Sequence, residues 1–167
     1  MQNNKEEFLE RISAHKLIIY KICNAYCKNR YDRDDLAQEI SYQLWRSYDH
    51  FNGSVKFSTW MYRVALNVAI TFYRKTKKAE AVIQLTEADT EVEDKHEDRA
   101  ELEKNILILQ QFINELNELD KALMILYLEE KGYSEIAEIL GITETNVATK
   151  ISRIKDKLKQ KFSTINN

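Results

Sequence analysis

The sequence contains no proline and only three glycines, Gly53, Gly132 and Gly141, in 167 residues. Because a β-sheet needs turn residues between its strands, this shortage favours helices joined by few, short connections. Apolar residues make up 44% of the chain and charged residues 31%, a balance typical of a globular protein rather than a disordered one. The sequence therefore predicts an all-α protein.

Long apolar runs are lacking as well. The longest, Ala122 to Leu128, is far shorter than the ~20 residues of a membrane-spanning helix. The first residues, "MQNNKEEFLERI", lack the apolar core of a signal peptide. We therefore expect a soluble protein that stays in the cytoplasm where it is made.

Motifs of metal sites and enzymes are also missing. Cys23 and Cys27 share a helix face, but a zinc site needs three or four ligands at defined spacing and no His or Cys cluster completes one. Two small buried thiols in a reducing cytoplasm are the simpler interpretation. The sequence shows no phosphate-binding glycine loop, no HExxH and no histidine beside a nucleophile and a carboxylate. We expect no metal, no cofactor and no enzymatic activity.

Charge is distributed unevenly along the chain, although the total is only −2. Residues 1–78 carry a net +6, residues 79–104 a net −7 and residues 105–167 a net −1, while residues 147–167 alone carry +5. This pattern predicts a helical domain at 1–78, an acidic linker at 79–101 and a second domain at 102–167. The acidic segment is either a solvated linker or a strap that covers a basic surface.

The C-terminal module reads as a helix–turn–helix. Ser134 is a candidate cap for a short helix, Gly141 permits the turn, and Thr143 offers a cap for a longer helix. The preceding helix is predicted to end at Gly132. The apolar stripe of the longer helix consists of Val147, Ile151, Ile154 and Leu158.

The opposite face of that longer helix is polar and carries Thr145, Asn146, Thr149, Ser152 and Arg153, flanked by Lys150 and Lys157. A DNA-reading helix needs this division between a supported face and a face that enters the major groove. Lysines at the rim suit phosphates, which contribute affinity but little sequence information. The alternative is an ordinary helical hairpin with a solvated face.

The N-terminal module is predicted to contain three helices. The first runs from about Glu7 to Lys28, and the second begins near Asp34 in "DDLAQEISYQLWRSYDHF". The second helix turns Leu36, Ile40, Leu44 and Tyr48 inward. Its other side is a polar stripe that is either a protein-contact surface or a solvated face.

The third helix is predicted to begin at Ser58, which acts as its cap. Its buried stripe consists of Trp60, Val64, Ala65, Val68 and Phe72. Its other side mixes aromatic, basic and apolar residues, namely Tyr62, Arg63, Leu66, Asn67, Ile70, Tyr73, Arg74 and Lys77. Aromatic rings beside basic residues suit single-stranded nucleic acid, although aromatic residues on a helix more often belong to a core.

Together the two modules resemble a bacterial sigma factor of the extracytoplasmic-function type (ECF, group 4). "DDLAQEISYQLWRSYDHF" is similar to the family helix that docks on RNA polymerase, "FSTWMYRVALNVAITFYRK" to its promoter-melting helix, and "YSEIAEILGITETNVATKISRIKDKL" to its −35-reading domain. The resemblance implies a sigma subunit that binds core polymerase through the β′ clamp helices and the β flap. It also implies recognition of −35 and −10 promoter elements, help in melting the promoter, and control by an anti-sigma factor.

The resemblance also implies roles for particular residues. Polymerase binding falls to Asp35, Gln38, Glu39 and Arg46. The −10 element is met by Asn52, Lys56, Tyr62, Arg63, Asn67 and Arg74, with the loop from Asn52 to Lys56 holding a flipped base and Asn67 behind it. The −35 element is met by Thr145, Asn146, Thr149, Lys150, Arg153 and Lys157.

A stand-alone helix–turn–helix regulator is the alternative. Such a protein would be a dimer, because two reading helices must lie about one turn of DNA apart. No sustained heptad seam for a dimer is evident in the sequence.

Overall fold

A computed structural model describes residues 2–83 and 100–165 of the chain. These residues form eight α-helices and one 3₁₀ turn, without a β-strand. The all-α prediction is confirmed. The helices are α1 Gln2–Ala14, α2 Lys16–Tyr26, α3 Arg30–Ser47, α4 Phe57–Ile83, α5 Ala100–Glu115, α6 Glu118–Leu128, α7 Tyr133–Leu140 and α8 Glu144–Ile165, with the 3₁₀ turn at Tyr48–His50.

The N-terminal module consists of α1–α4, and α3 supplies much of its core. Leu36, Ile40 and Leu44 are completely buried, as the four-residue spacing predicts. The helix begins earlier than predicted, at Arg30, because the Asn29 side chain accepts a hydrogen bond from the Asp32 amide at 2.8 Å. An N-cap therefore fixes the start of α3.

The single helix predicted from Glu7 to Lys28 is wrong, since the chain breaks at His15 into α1 and α2. The His15 amide donates to the Ile12 carbonyl at 3.1 Å, and the Ile18 amide donates to the His15 carbonyl at 3.0 Å. These two i→i+3 bonds form a tight turn between the helices. Because no glycine or proline marks the break, the sequence gives no local signal for it.

The C-terminal module, α5–α8, differs from prediction at two helix ends. Gly132 does not end α6, because Glu130 takes the left-handed conformation (φ +57°) and the Lys131 amide donates to the Leu126 carbonyl at 3.1 Å. This is the hydrogen bond of a Schellman C-cap. Gly132 instead precedes α7, which begins at Tyr133, so Ser134 lies inside the helix and is not its cap.

The ends of the helices on either side of the predicted linker also differ from prediction. α4 starts at Phe57, so Ser58 is its second residue rather than its cap, and the helix continues to Ile83. The first residues of the predicted linker at 79–101 are thus helical, and α5 begins at Ala100. The rest of that acidic linker, residues 84–99, lies outside the described residues.

The two modules pack against each other, with α2 and α4 on one side and α6 and α7 on the other. Their buried side chains form one continuous hydrophobic cluster. Tyr26 in α2 extends this junction, because its hydroxyl donates to the Glu118 carbonyl in α6 at 2.6 Å. The sequence alone did not predict this packing.

Candidate nucleic-acid interface

The hairpin of α7 and α8 has the helix–turn–helix features that the sequence predicts. Gly141 takes φ +67° in the turn, a conformation that glycine adopts without a steric penalty. The Thr143 hydroxyl then caps α8, since it accepts a hydrogen bond from the Asn146 amide at 3.1 Å. Val147 and Ile151 are completely buried. Packing against α6 and α7 therefore fixes α8 and leaves its other face turned outward.

The outward face of α8 has the predicted composition. Its exposed residues include Thr145, Asn146, Thr149, Arg153 and Lys157, with Lys150 half-buried at the edge. Two other lysines of this helix are engaged within the module. The Lys155 ammonium lies 4.3 Å from the centroid of the Tyr127 ring, and Lys161 pairs with Glu115 at 2.6 Å. The positive charges of residues 147–167 are therefore not all equally available to DNA.

A second feature is an open cavity of about 570 Å³ beside the loop at residues 52–56. Phe51 and Phe57 flank this loop, and the Arg11 guanidinium lies 5.8 and 5.5 Å from their ring centroids. The Asn52 side chain accepts a hydrogen bond from the Ser54 amide at 3.0 Å and shapes the loop. The lining residues are Asn4, Glu7, Arg11, Tyr48, Asp49, Phe51, Asn52, Gly53, Val55 and Phe57.

The cavity combines aromatic rings, polar side chains and the ion pair of Arg11 with Glu7 at 2.8 Å, and Asp49 adds a further carboxylate. Such a set can stack on an unpaired base and hydrogen-bond to its edges. Sequence reasoning found the loop but missed Arg11, which comes from α1, far away in the chain. The two phenylalanines at the ends of "FNGSVKF" are the sequence feature that could have indicated an aromatic cavity at this loop. Lys56 is exposed on the loop.

A third feature is an open groove of about 970 Å³ between α3 and α4. On the α3 side it is lined by Asp35, Gln38, Glu39, Tyr42 and Gln43, and on the α4 side by Asn67, Val68, Thr71, Phe72 and Lys75. Three of the four predicted polymerase-binding residues therefore share one surface, while Arg46 is exposed further along α3. Asn67 was expected behind the 52–56 loop, but it lines this groove instead.

The remaining −10 candidates lie at the junction of the modules. Tyr62 is only 2% exposed, and the Lys131 ammonium lies 5.6 Å from its ring centroid. Arg63 and Arg74 both pair with carboxylates of the C-terminal module. The prediction that this face of α4 is open is therefore wrong at Tyr62, whereas the side chains of Arg63 and Arg74 remain 40% and 62% exposed. Leu66, predicted on the same face, is 1% exposed.

Burial raises the pKa values of several ionisable groups near the junction between the modules. Burial, with Glu129 nearby, raises the pKa of the Tyr62 phenol to about 12. Burial likewise raises the pKa of Cys23 to about 11 and that of Cys27 to about 12. Both thiols are buried and free, as predicted, and such pKa values leave almost no reactive thiolate at neutral pH.

The described ranges, 2–83 and 100–165, lack two kinds of feature. They contain no group of three or more His, Cys, Asp or Glu side chains that could hold a metal ion. They also contain no helix that is both long and apolar enough to span a membrane.

Comparison with protein families assigns both modules. Residues 12–79 match the family described as Sigma-70 region 2, and residues 106–158 match Sigma-70, region 4. Together these matches cover more than half of the chain and fall on the two modules in the predicted order.

Relatives match over nearly the whole length. The chain is 28% identical to the ECF RNA polymerase sigma factor SigW of Bacillus subtilis, covering 96% of this chain and 91% of the relative. It is 24% identical to the ECF RNA polymerase sigma-E factor of Haemophilus influenzae, covering 98% and 92%.

The fold is also similar to solved structures. RpoE of Bartonella quintana, solved with the anti-sigma factor NepR, matches with a TM-score of 0.65 at 18% identity, covering 98% of both chains. CnrH, solved with the cytosolic domain of CnrY, matches with a TM-score of 0.56 at 18% identity, covering 96% of this chain and 90% of CnrH.

The family matches, the full-length relatives and the helix–turn–helix agree, and the stand-alone regulator is not favoured. The chain belongs to the sigma-70 family as a sigma factor of the ECF type, a subunit that recognises promoters for RNA polymerase.

Proposed function

We propose that this sigma factor contacts the promoter with two separate surfaces and core polymerase with a third. The observation that carries the proposal is the outward face of α8. Thr145, Asn146 and Thr149 lie exposed near the capped N-terminal end of this helix, and Arg153 follows one turn later. The N-terminal part of a reading helix is the part that meets base edges. We assign base reading in the −35 element to these side chains, and phosphate contacts to Lys150 and Lys157.

The second promoter contact is the cavity at the 52–56 loop. We propose that it accepts a base flipped out of the −10 element, with Asn52 on its edge and Phe51 and Phe57 as the apolar walls. Extrusion of a base costs a few kcal/mol of lost stacking, which a snug pocket must recover. The half-buried Arg11 supports the assignment, because its guanidinium, although paired with Glu7 at 2.8 Å, keeps further N–H donors that can hydrogen-bond to the base.

Tyr62, Arg63, Asn67 and Arg74 complete the proposed −10 surface along α4, with Lys56 on the loop. Asn67 lines the α3–α4 groove, so its contact with DNA would come from that side of the helix. Tyr62 is buried against the C-terminal module and would reach DNA only in an arrangement in which that module has moved away. Arg63 and Arg74 pair with carboxylates of the same module but stay 40% and 62% exposed.

The third contact is the polymerase surface on α3. We propose that Asp35, Gln38 and Glu39 bind the β′ clamp helices, with Arg46 at the far end. The groove between α3 and α4 supports this assignment, since exposed Tyr42 lines it beside the acidic side chains. A surface that mixes an aromatic ring with charges is typical of protein interfaces. We assign a second polymerase contact, with the β flap, to the C-terminal module.

Two further features of the function are proposed from the comparisons. RpoE was solved with the anti-sigma factor NepR, and CnrH with part of CnrY; we propose that an inhibitory protein also binds this chain. It would co-purify with the tagged chain in place of polymerase and suppress transcription in vitro. We further propose that the chain works in the cytoplasm and has no catalytic activity of its own, since its family supplies specificity to polymerase.

The decisive experiment mixes the purified chain with bacterial core RNA polymerase and a genomic fragment library. We expect a co-eluting complex and transcripts that start at specific sites with a shared upstream motif, which would define the −35 and −10 sequences together. A chain that stays apart from polymerase and binds palindromic DNA as a dimer would instead support the regulator alternative.

A further inference from the structure

A further cavity lies between α2 and α5, beside the segment that joins α2 to α3. It is an open cleft of about 540 Å³, within the size range of small-molecule sites. The charged side chains that line it are all cations, namely Lys21, Lys28 and Arg33. Three amide side chains also line it, those of Asn24, Gln110 and Asn114. Among the described residues, no carboxylate lines this cleft, so it offers positive charge and N–H donors without a negative partner.

Two of the three cations form no ion pair with residues 2–83 or 100–165. Lys21 pairs with Glu129, just after α6, whereas the exposed Lys28 and the half-buried Arg33 pair with no carboxylate of these ranges. A guanidinium presents a planar fork of N–H donors that matches the oxygens of a phosphate or a carboxylate. The cleft therefore has two cations ready to bind an anion.

The carboxylates at the start of α3 have other partners. Asp32 Oδ2 accepts a hydrogen bond from Asn29 Nδ2 at 2.8 Å, and Asp34 Oδ2 lies 3.8 Å from Arg30 Nε. Asp32 lines a smaller neighbouring cavity, and neither carboxylate lines the cleft. They therefore leave the position beside the cations of the cleft to an external anion.

A buried charge lies behind the wall of the cleft. Lys121 is 3% exposed and donates to the carbonyl of Ala25, a residue that lines the cleft, at 3.2 Å. Its ammonium otherwise lies against the rings of Tyr73 and Tyr26, 4.6 and 5.7 Å from their centroids. Burial, and after it the charge of Lys28, lower the pKa of Lys121. The positive charges here repel one another, and an anion in the cleft would relieve that repulsion.

We propose that the cleft between α2 and α5 binds a small molecule that carries a phosphate group. Arg33 and Lys28 hold the phosphate oxygens, and the amides of Gln110 and Asn114 donate further hydrogen bonds from α5. Lys121 acts only through its field, because it lies behind the wall. A phosphate monoester suits this site better than a carboxylate, since it concentrates nearly two negative charges at one point.

The surroundings of the cleft favour a small ligand over the backbone of DNA. A DNA strand is a long row of phosphates, and proteins meet it with cations spread along its path. Here the cations converge on one concave site, and the exposed carboxylates of Asp34 and Asp35 follow directly on α3. These carboxylates would repel a longer polyanion, whereas a single phosphate group fits beside Arg33.

Both modules contribute to the cleft, which gives ligand binding a measurable effect on stability. Lys28 and Arg33 belong to the N-terminal module, and Gln110 and Asn114 belong to the C-terminal module. A ligand that binds the folded chain and not the unfolded one stabilises it by mass action. The melting temperature should therefore rise with the concentration of the phosphate compound.

The test is a calorimetric titration of the full chain with adenosine monophosphate and with inorganic phosphate, at one low ionic strength. Adenosine is the control ligand without a phosphate. Gln110→Glu places a carboxylate on the α5 wall of the cleft, and Gln111→Glu makes the same change at the next residue, which is exposed but does not line the cleft. A second test variant, Lys28→Gln with Arg33→Gln, removes the cations. Its charge-matched control is Lys5→Gln with Lys16→Gln, at two exposed positions outside the cleft.

We expect the parent to bind the phosphate compounds with a Kd of about 1 mM or lower and not to bind adenosine. Binding should weaken about fivefold or more in both test variants and stay at the parental level in both controls. Tighter binding of adenosine monophosphate than of inorganic phosphate would identify an organic phosphate as the ligand, and equal binding would identify free phosphate.

Two results would overturn the site. One is a parent that binds neither phosphate compound, and the other is an equal loss in Gln110→Glu and Gln111→Glu, which would assign binding to overall charge. Circular dichroism checks the fold of each variant. Gln110→Glu keeps every native cation, so it decides the question even where removal of Arg33 disturbs folding.

Duplex DNA without a promoter sequence is the last arm of the experiment. DNA that leaves adenosine monophosphate bound at equal phosphate concentration would support a separate small-molecule site. DNA that displaces the nucleotide would make the cleft part of a DNA-binding surface and would overturn the proposal. None of these measurements requires polymerase, so they are independent of the promoter and polymerase contacts proposed above.

Discussion

The ammonium nitrogen of Lys121 lies 4.6 Å from the centroid of the Tyr73 ring, across the junction between the two modules. Burial, with Lys28 and Lys77 nearby, lowers the pKa of Lys121 from 10.5 to about 8. The junction thus depends on a lysine whose charge changes close to neutral pH. Its other ionisable neighbours are Tyr26, Cys27 and Tyr73.

The free energy of unfolding of the parent should rise relative to that of Lys121→Met as the pH rises from 7 to 9. In this range Lys121 loses its proton in the folded protein but keeps it in the unfolded chain, so the unfolded chain binds more protons and the free energy of unfolding rises with pH. The expected gain is about 1 kcal/mol. Thermal unfolding of the parent and of Lys121→Met measures it, since only the parent should show this gain.

The comparison with Lys121→Met is needed because two thiols act in the opposite direction. The pKa values of Cys23 and Cys27 are raised to about 11 and 12, so both thiols keep their protons in the folded protein while the unfolded chain releases them as the pH approaches 9. This loss of stability is the same in the parent and in Lys121→Met, so it cancels in the difference between their pH profiles. Parallel pH profiles for the parent and Lys121→Met between pH 7 and 9 would contradict the assignment.

Charge reversal at Asp35 and Glu39 should abolish polymerase binding. Both side chains are exposed and line the α3–α4 groove, so Asp35→Lys with Glu39→Lys replaces attraction by repulsion without disturbing the core. Co-elution with core polymerase measures the loss. Glu6→Lys with Glu10→Lys on exposed α1 has the same change in net charge and should still bind. Equal binding by both pairs would place the docking surface elsewhere.

Replacement of Arg153 by alanine should weaken −35 recognition about fivefold or more, while polymerase binding stays normal. A guanidinium that reaches a base edge contributes about 1–3 kcal/mol of discrimination, whereas a phosphate contact would weaken all DNA sequences alike. Transcription from matched and mismatched −35 templates separates these roles. Lys159→Ala, exposed further along α8, is the control and should retain the preference. A normal preference in Arg153→Ala would remove Arg153 from the reading face.

Sequence patterns predicted the parts of this molecule whose structure is set locally. The four-residue spacing of Leu36, Ile40 and Leu44 gave the inner face of α3, and Thr143 with Gly141 gave the turn before α8. Short-range periodicity and capping chemistry suffice for such features. The sequence also predicted the exposed polar face of α8, because every residue on it belongs to one helix.

Features that depend on distant segments could not be predicted in this way. Tyr62 and Leu66 were predicted to face outward because α6 and α7, which cover them, begin some fifty residues or more further along the chain. Arg11 was missed for the same reason, as only folding brings α1 to the loop after α3. The break at His15 likewise has no glycine or proline to mark it in the local sequence.

Asn52→Ala should slow promoter opening about tenfold but leave −35 binding intact. Asn52 lines the cavity at the 52–56 loop, where loss of a base contact costs on the order of 1–3 kcal/mol. Permanganate reactivity of unpaired thymines measures opening directly. Ser54→Ala alters an exposed residue of the same loop and should open the promoter at the normal rate. Equal rates for both variants would exclude the cavity as the base site.

Glu130→Gly should stabilise the protein, because Glu130 takes φ +57° at the end of α6. A residue with a Cβ pays a steric penalty of roughly 1 kcal/mol in the left-handed region, and glycine at this C-cap position avoids it. The melting temperature should rise by about 2–4 °C. Glu130→Ala removes the same carboxylate but keeps the Cβ, so it should give no gain. A similar rise in both variants would assign the effect to charge rather than to backbone conformation.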